Sequence, residues 1–226
     1  MPQLLGLIFD LDGTLVDSAA DLRQALNAVL STHDRRALTL VEVKEMIGDG
    51  LQSLLDKAFK ATGAPLAPSS ARTLIDDFLK LYQNQKASPD QLYPGAAETL
   101  AVFGQRGIKV GLCTNKMYTP TMKLFNDIGI SDLFDFVAGS DTFPVYKPHP
   151  GHVLGVAKGL KVPPAACVMI GDSTNDIAAA RGAGVASIAV SHGYGRDVRR
   201  LGADAVIDHF SELSDSLRRL GFDFVG

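Results

Sequence analysis

The chain has 226 residues, of which 46% are hydrophobic and 7% aromatic with no Trp, and a formal net charge of -3. That length suits one α/β domain with a sizeable core plus a smaller appendage, and the slightly acidic balance offers no basic footprint for nucleic acid. No apolar run approaches membrane-spanning length and Met1 to Phe9 carries no positively charged leader, so no membrane partner is expected and the cytoplasm is the expected location.

The first element is the apolar run Leu4 to Phe9, which reads as a strand buried on both faces of a parallel sheet. It runs into Asp10-Leu11-Asp12-Gly13-Thr14. Residues two apart in extended chain point the same way, so Asp10 and Asp12 share a face, or diverge if Asp12-Gly13 starts a turn. Two carboxylates at a buried strand end are costly unless a cation or a shared proton offsets them, and a hard, oxygen-seeking ion such as Mg²⁺ suits them. Gly13 permits close backbone approach, and Thr14 adds a hydroxyl and an amide.

Helical periodicity follows. Leu22, Leu26, Val29 and Leu30 form one stripe behind the candidate caps Asp17 and Ser18. Thr39 and Glu42 fit a capping box for a second helix that stops at Gly48-Asp49-Gly50. A third stripe comprises Leu51, Leu54, Leu55, Ala58 and Phe59, and a fourth Leu74, Ile75, Phe78, Leu81 and Tyr82. From Tyr93 onward short apolar strands alternate with helical segments: Lys109 to Cys113, Phe136 to Ala138, Cys167 to Ile170, Ala186 to Val190 and Ala205 to Ile207. This alternation predicts a Rossmann-like, doubly wound parallel α/β sheet that the first strand joins. The helical block then becomes an inserted small cap over residues 17–89, with the core formed by 1–16 and 90–226. Cys113 and Cys167 fall inside strands and are expected to be buried, reduced thiols.

Open α/β sheets bind ligands beyond the carboxyl ends of their strands. Thr114 and Asn115 follow one strand, the latter also a plausible cap for the next helix. Lys147 precedes Pro148-His149-Pro150, where a solvated loop lysine is the ordinary expectation. Gly171-Asp172-Ser173-Thr174-Asn175-Asp176 follows another strand and opens a helix. His192 follows a further strand and could face the same crevice, whereas His149 and His152 open a helix and are expected at the surface.

Asp10-x-Asp12-Gly13-Thr14-Leu15, Thr114-Asn115, Lys147 and Gly171-Asp172-x-x-x-Asp176 together resemble, in order, the four motifs of the haloacid dehalogenase superfamily. Asp12 aligns the chain with its phosphoryl-transfer members, and the insert resembles the cap of the phosphoglycolate phosphatase branch. The resemblance implies a Mg²⁺-dependent phosphatase of small phosphorylated metabolites, 2-phosphoglycolate foremost. Its nucleophile would be Asp10, its acid and base Asp12, protonated when substrate binds, and its charge-offsetting lysine Lys147. Thr114 and Asn115 would hold a phosphoryl oxygen. Asp10, the Asp12 carbonyl and Asp172 would bind the metal, with Asp176 behind them. Within Val43 to Leu51, the amides around Gly48 and Gly50, with Lys44, would receive the substrate's carboxylate. A phosphomutase or phosphotransferase on sugar phosphates shares these motifs, a catalytically silent binding protein shares the fold, and either a monomer or a homodimer is compatible with them.

Overall fold

The computed structural model describes residues 3–224; residues 1, 2, 225 and 226, the outer ends of the two expected core segments, lie outside the described residues. Six strands form one parallel sheet: β1 (Gly6–Phe9), β2 (Lys109–Cys113), β3 (Phe136–Ala138), β4 (Cys167–Gly171), β5 (Ala186–Val190) and β6 (Ala205–Ile207). Their order is β3-β2-β1-β4-β5-β6, so the chain reverses its direction of winding between β1 and β4. The first strand begins two residues later than its apolar run implies. Leu4 and Leu5 donate their N–H groups to the carbonyls of Asp223 and Ala166 and extend the buried run without joining the strand ladder.

Alternation along these strands separates two apolar layers. Leu7, Phe9, Val110, Leu112, Val168 and Ile170 pack with α5 (Ala96–Gln105), α6 (Tyr118–Ile128) and α9 (Leu213–Arg219). Ile8, Cys113, Cys167 and Met169 face α7 (Pro150–Leu160) and α8 (Thr174–Ala183) on the other side. Cys113 and Cys167 are free, and burial pushes both thiols up to about 12, so they remain neutral.

Between β1 and α5 the chain builds α1 (Ala19–Ser31), α2 (Leu40–Lys44), α3 (Leu51–Thr62) and α4 (Ala71–Gln83). They pack around an apolar cluster of their own that includes Leu26, Leu30, Val43, Leu55, Phe59 and Phe78. The Thr39–Glu42 capping box is formed in full. The second helix stops at Lys44, four residues short of Gly48, because the Met46 N–H turns back to the Val43 carbonyl and tightens the last turn. Ser18 occupies the N-cap of α1 without capping it, since its hydroxyl is bonded to Asp12.

Leu55 is fully buried in the four-helix cluster, whereas Val41 is 68% exposed on the same unit. Leu55→Ala should cost about 2–5 kcal/mol in a chemical-denaturation experiment, and Val41→Ala less than about 0.5 kcal/mol.

Candidate active site

Register assembles the site. Phe9 pairs with Leu112 on one side and Ile170 on the other, and the Asp10 N–H donates to the Ile170 carbonyl at 2.9 Å. Asp10, Thr114 and Asp172 therefore leave three adjacent strands at the same end of the sheet, at the reversal between β1 and β4. Lys147 arrives from the segment before α7, and Asp176 from the first turn of α8, where Ser173 and Asp176 form a capping box.

Lys147 is the centre of this cluster. Only 2% exposed, its Nζ lies 2.8 Å from Asp10 Oδ1 and 2.6 Å from Asp176 Oδ1. Burial works against its ammonium, but the charges of Asp10 and Asp176 outweigh that and hold it protonated. One cation does not balance three carboxylates. Burial first, then the charge of Asp176, drives the Asp10 carboxyl well above its ordinary range against the opposing pull of Lys147. Asp172 rises from 3.8 to about 7 by burial and by Asp176, although it accepts from the Tyr194 and Gly195 N–H groups and from the Thr14 hydroxyl.

The carboxylates of Asp10 and Asp12 diverge. Gly13, at φ +86°, starts a tight loop in which four N–H groups close onto the Leu11 and Val16 carbonyls. A Cβ at position 13 would lie 2.5 Å from an Asp172 oxygen, so glycine is needed there for space as well as for conformation. Asp12 turns toward Lys116, whose Nζ sits 3.1 and 3.3 Å from its two oxygens, and accepts from the Ser18 hydroxyl. The Lys116 side chain is 7% exposed and its ammonium lies 4.7 Å from the Tyr82 ring centroid. Burial opposes that ammonium, but Asp12 raises its pKa overall. Sequence reasoning passed over Lys116. Its signal was its place directly after Thr114-Asn115, at the strand end where charge accumulates.

Asn115 does not cap α6, whose N-cap is Met117. Its Nδ2 donates to the carbonyls of Lys147 at 2.8 Å and Gly48 at 2.9 Å, and its buried Oδ1 has no partner. The Asn115 side-chain amide thus ties the lysine segment to the loop after α2. Asn175 Nδ2 also donates to Gly48 O, at 3.2 Å, and to Asp49 Oδ1 at 2.6 Å. The Gly48 carbonyl is thus turned toward the core. A Cβ on Gly50, at φ +86°, would meet the Asn115 carbonyl at 3.3 Å. Thr114 is buried, and its Oγ1 accepts from the Lys116 N–H at 3.2 Å, which leaves its hydroxyl proton available.

Lys44 lies on the far side of this loop, 3.2 Å from Asp17 Oδ2 and 5.2 Å from the Tyr194 ring centroid. The Tyr194 hydroxyl donates to Asp17 Oδ1 at 2.7 Å. His192 stands behind the first loop, its Nε2 donating to the Thr14 carbonyl at 3.0 Å and its ring against Tyr93. His149 is exposed, as expected. His152 is not: it is fully buried, its Nδ1 accepts the Lys147 N–H at 3.2 Å, and burial together with the Lys147 charge lowers it to about 4. The first turn of α7 folds directly beneath the lysine segment, and this carries His152 inward.

Asp10, Asp172 and Asp176 each offer an oxygen within 4.8 Å of the others, all of them buried. A crowded, anion-rich set of hard oxygens with raised carboxyl pKa values fits a divalent cation. Asp176, unlike Asp172, has a cation among its donors. Its Oδ1 is taken by Lys147 and its Oδ2 by the Ser173 N–H and hydroxyl.

Comparison with known proteins agrees with this geometry. The family model of haloacid dehalogenase-like hydrolases matches residues 7–190. The chain is 38% identical to a phosphoglycolate phosphatase of Caulobacter vibrioides over 92% of its own length and 88% of that protein's. It is also 38% identical to one of Rhodospirillum rubrum, over 93% and 90%. The crystal structure of a predicted phosphoglycolate phosphatase from Haemophilus somnus 129pt superposes with a TM-score of 0.86 at 27% identity, covering 95% of this chain and 98% of that one. The chain belongs to the haloacid dehalogenase-like hydrolases. Among the described residues, no helix is long and apolar enough to cross a membrane.

The raised Asp172 carboxyl has a sign that can be measured. Between the ordinary 3.8 and about 7 the folded, metal-free protein holds a proton that the unfolded chain releases, so this group withdraws stability as pH rises through that window. With chelator present, Asp172→Asn should be increasingly more stable than wild type from pH about 4 to about 7, read as urea midpoints. A constant difference across that range would show that Asp172 is not held protonated.

Proposed function

We propose that the protein is a Mg²⁺-dependent phosphatase of small phosphorylated metabolites, 2-phosphoglycolate foremost, working through an aspartyl-phosphate on Asp10. The observation that carries this reading is the separation of the two first-loop carboxylates. Asp10 is held by Lys147 at the end of β1, and Asp12, two residues on, is held apart by Lys116 and Ser18. That separation supports giving attack to one carboxylate and proton transfer to the other. The sequence similarity to phosphoglycolate phosphatases supports the substrate.

In this reading an Asp10 oxygen forms a bond to phosphorus as the ester P–O bond breaks. Asp12 gives the departing alkoxide a proton, then takes one from the water that releases phosphate and restores Asp10. Lys147 offsets charge between Asp10 and the phosphoryl group, and the Thr114 hydroxyl donates to a phosphoryl oxygen. Asn115 holds the Lys147 backbone in register. Asp10, the Asp12 carbonyl and Asp172 would hold Mg²⁺, which supplies charge neutralisation on the phosphoryl oxygens, and Asp176 orients Lys147. Without Lys116, four carboxylates and a substrate phosphate of about two negative charges face three positive charges from Mg²⁺ and Lys147. Lys116 adds a fourth. The ion pair it makes with Asp12 has to loosen for Asp12 to carry the proton that this cycle requires.

Phosphate release from 2-phosphoglycolate in the presence of Mg²⁺, and its loss on chelation, tests the reading. Asp10→Ala should lower turnover at least about a thousandfold while the protein stays folded, since the change removes a nucleophile and relieves charge crowding. Activity within tenfold of wild type would exclude Asp10 as nucleophile. Lys44, which would exchange Asp17 for the substrate's carboxylate, gives a second test. Lys44→Ala should raise KM for 2-phosphoglycolate about tenfold and spare an uncharged aryl phosphate.

A further inference from the structure

The loop at Gly48 stands between two recesses of opposite chemistry, both of which reach Asp12. On one side Lys44, Lys57, Arg196 and Asn175 line a polar recess that reaches Asp12 and Asp172. On the other, a cavity of about 60 Å³ opens directly onto Asp10, Asp12 and Thr114. Its walls are apolar: Leu51, Leu54, Phe78, Leu79, Tyr82 and Met117 are among them. Lys116 is the one cation lining it, already bound to both Asp12 oxygens with the Tyr82 ring beside it. A leaving group carrying a carboxylate would lose its hydration here without gaining a free cation.

Leu79 and Met117 add an independent observation. Both line the cavity, and neither belongs to any of the apolar clusters that hold the helical unit and the sheet layers together. Their apolar surface is presented to the space beside the nucleophile, where burial by a bound hydrocarbon is the favourable outcome.

We propose that this cavity is a leaving-group subsite for phosphomonoesters of apolar alcohols, the short alkyl phosphates, as a substrate class additional to carboxylated esters. The inference rests on the hydrolase reading above and concerns which alcohol departs. Asp10 forms the new bond to phosphorus, the alkoxide leaves into the apolar recess and takes its proton from Asp12, and water returns the phosphoryl group as phosphate. Carboxylated esters use the polar side of the Gly48 loop, where Lys44 stands.

The test is kcat/KM for methyl, ethyl, n-propyl, n-butyl and n-pentyl phosphate with Mg²⁺, alongside 2-phosphoglycolate, by phosphate release. We expect a rise of about threefold per added methylene until the cavity is full. Leu79→Asn should reduce the butyl-to-methyl ratio at least about threefold, and Leu79→Phe, which fills the cavity, should move the optimum to a shorter chain. Should Leu79→Asn fail to fold, the wild-type series decides alone. A flat or falling wild-type series with 2-phosphoglycolate still turned over overturns the apolar subsite and leaves the hydrolase reading standing. No phosphate from any ester overturns both.

Discussion

Everything at this site depends on burying like charges where β1 and β4 meet. The strand register leaves no choice in the matter, because Phe9 opposite Ile170 puts Asp10 and Asp172 at neighbouring strand ends. Three buried carboxylates within reach of one another would be prohibitive in a low-dielectric interior without compensation. Lys147 is that compensation in part, fixed from two sides by Asp10 and Asp176 and from below by Asn115 and His152. The remaining imbalance is what would favour a divalent cation there.

A second pair, Asp12 with Lys116, solves a different problem. Two carboxylates on one loop, both facing the same buried point, would compete for the same cation and titrate together. The turn at Gly13 separates them, and Lys116 gives Asp12 its own counterion on the side of the helical unit. The Tyr82 ring beside Lys116 belongs to α4, so the environment of Asp12 is completed by a residue of the insert. Movement of the helical unit would therefore change what surrounds Asp12, and it reaches the Asp10–Lys147–Asp176 cluster, which is built from core segments, through the Asn115 side chain that bridges Gly48 and Lys147.

Much of the fold was legible in the sequence because strands buried on both faces leave continuous apolar runs, and four of the six strands have the bounds that those runs imply. The charged groups of the site were legible for a related reason: polar residues at the ends of such runs have little else to do. What the sequence concealed were relations set by side-chain direction. Lys116 looks like any lysine near a helix start, and only the turn at Gly13 sends Asp12 toward it. His152 looks like a first-turn surface residue, and only the path of the Lys147 segment beneath the sheet edge makes that face interior. Nor does the sequence mark the Gly48 carbonyl, on which two asparagines from separate strand ends converge.

That convergence gives the loop after α2 its consequence for chemistry. Asn115 spends one amide proton on Gly48 and the other on Lys147, so the position of the loop and the position of the charge-offsetting lysine share one side chain. A rigid core alone would leave the alcohol half of a substrate in water, since the motifs at the strand ends contact only the phosphoryl half. The loop stands between an apolar recess and a polar one, held to the core through the Gly48 carbonyl and the Asp49 carboxylate. In the proposed reading, selectivity among esters becomes a partition between two environments on either side of Gly48, set by desolvation on one side and by Lys44 on the other, with Asp12 lining both.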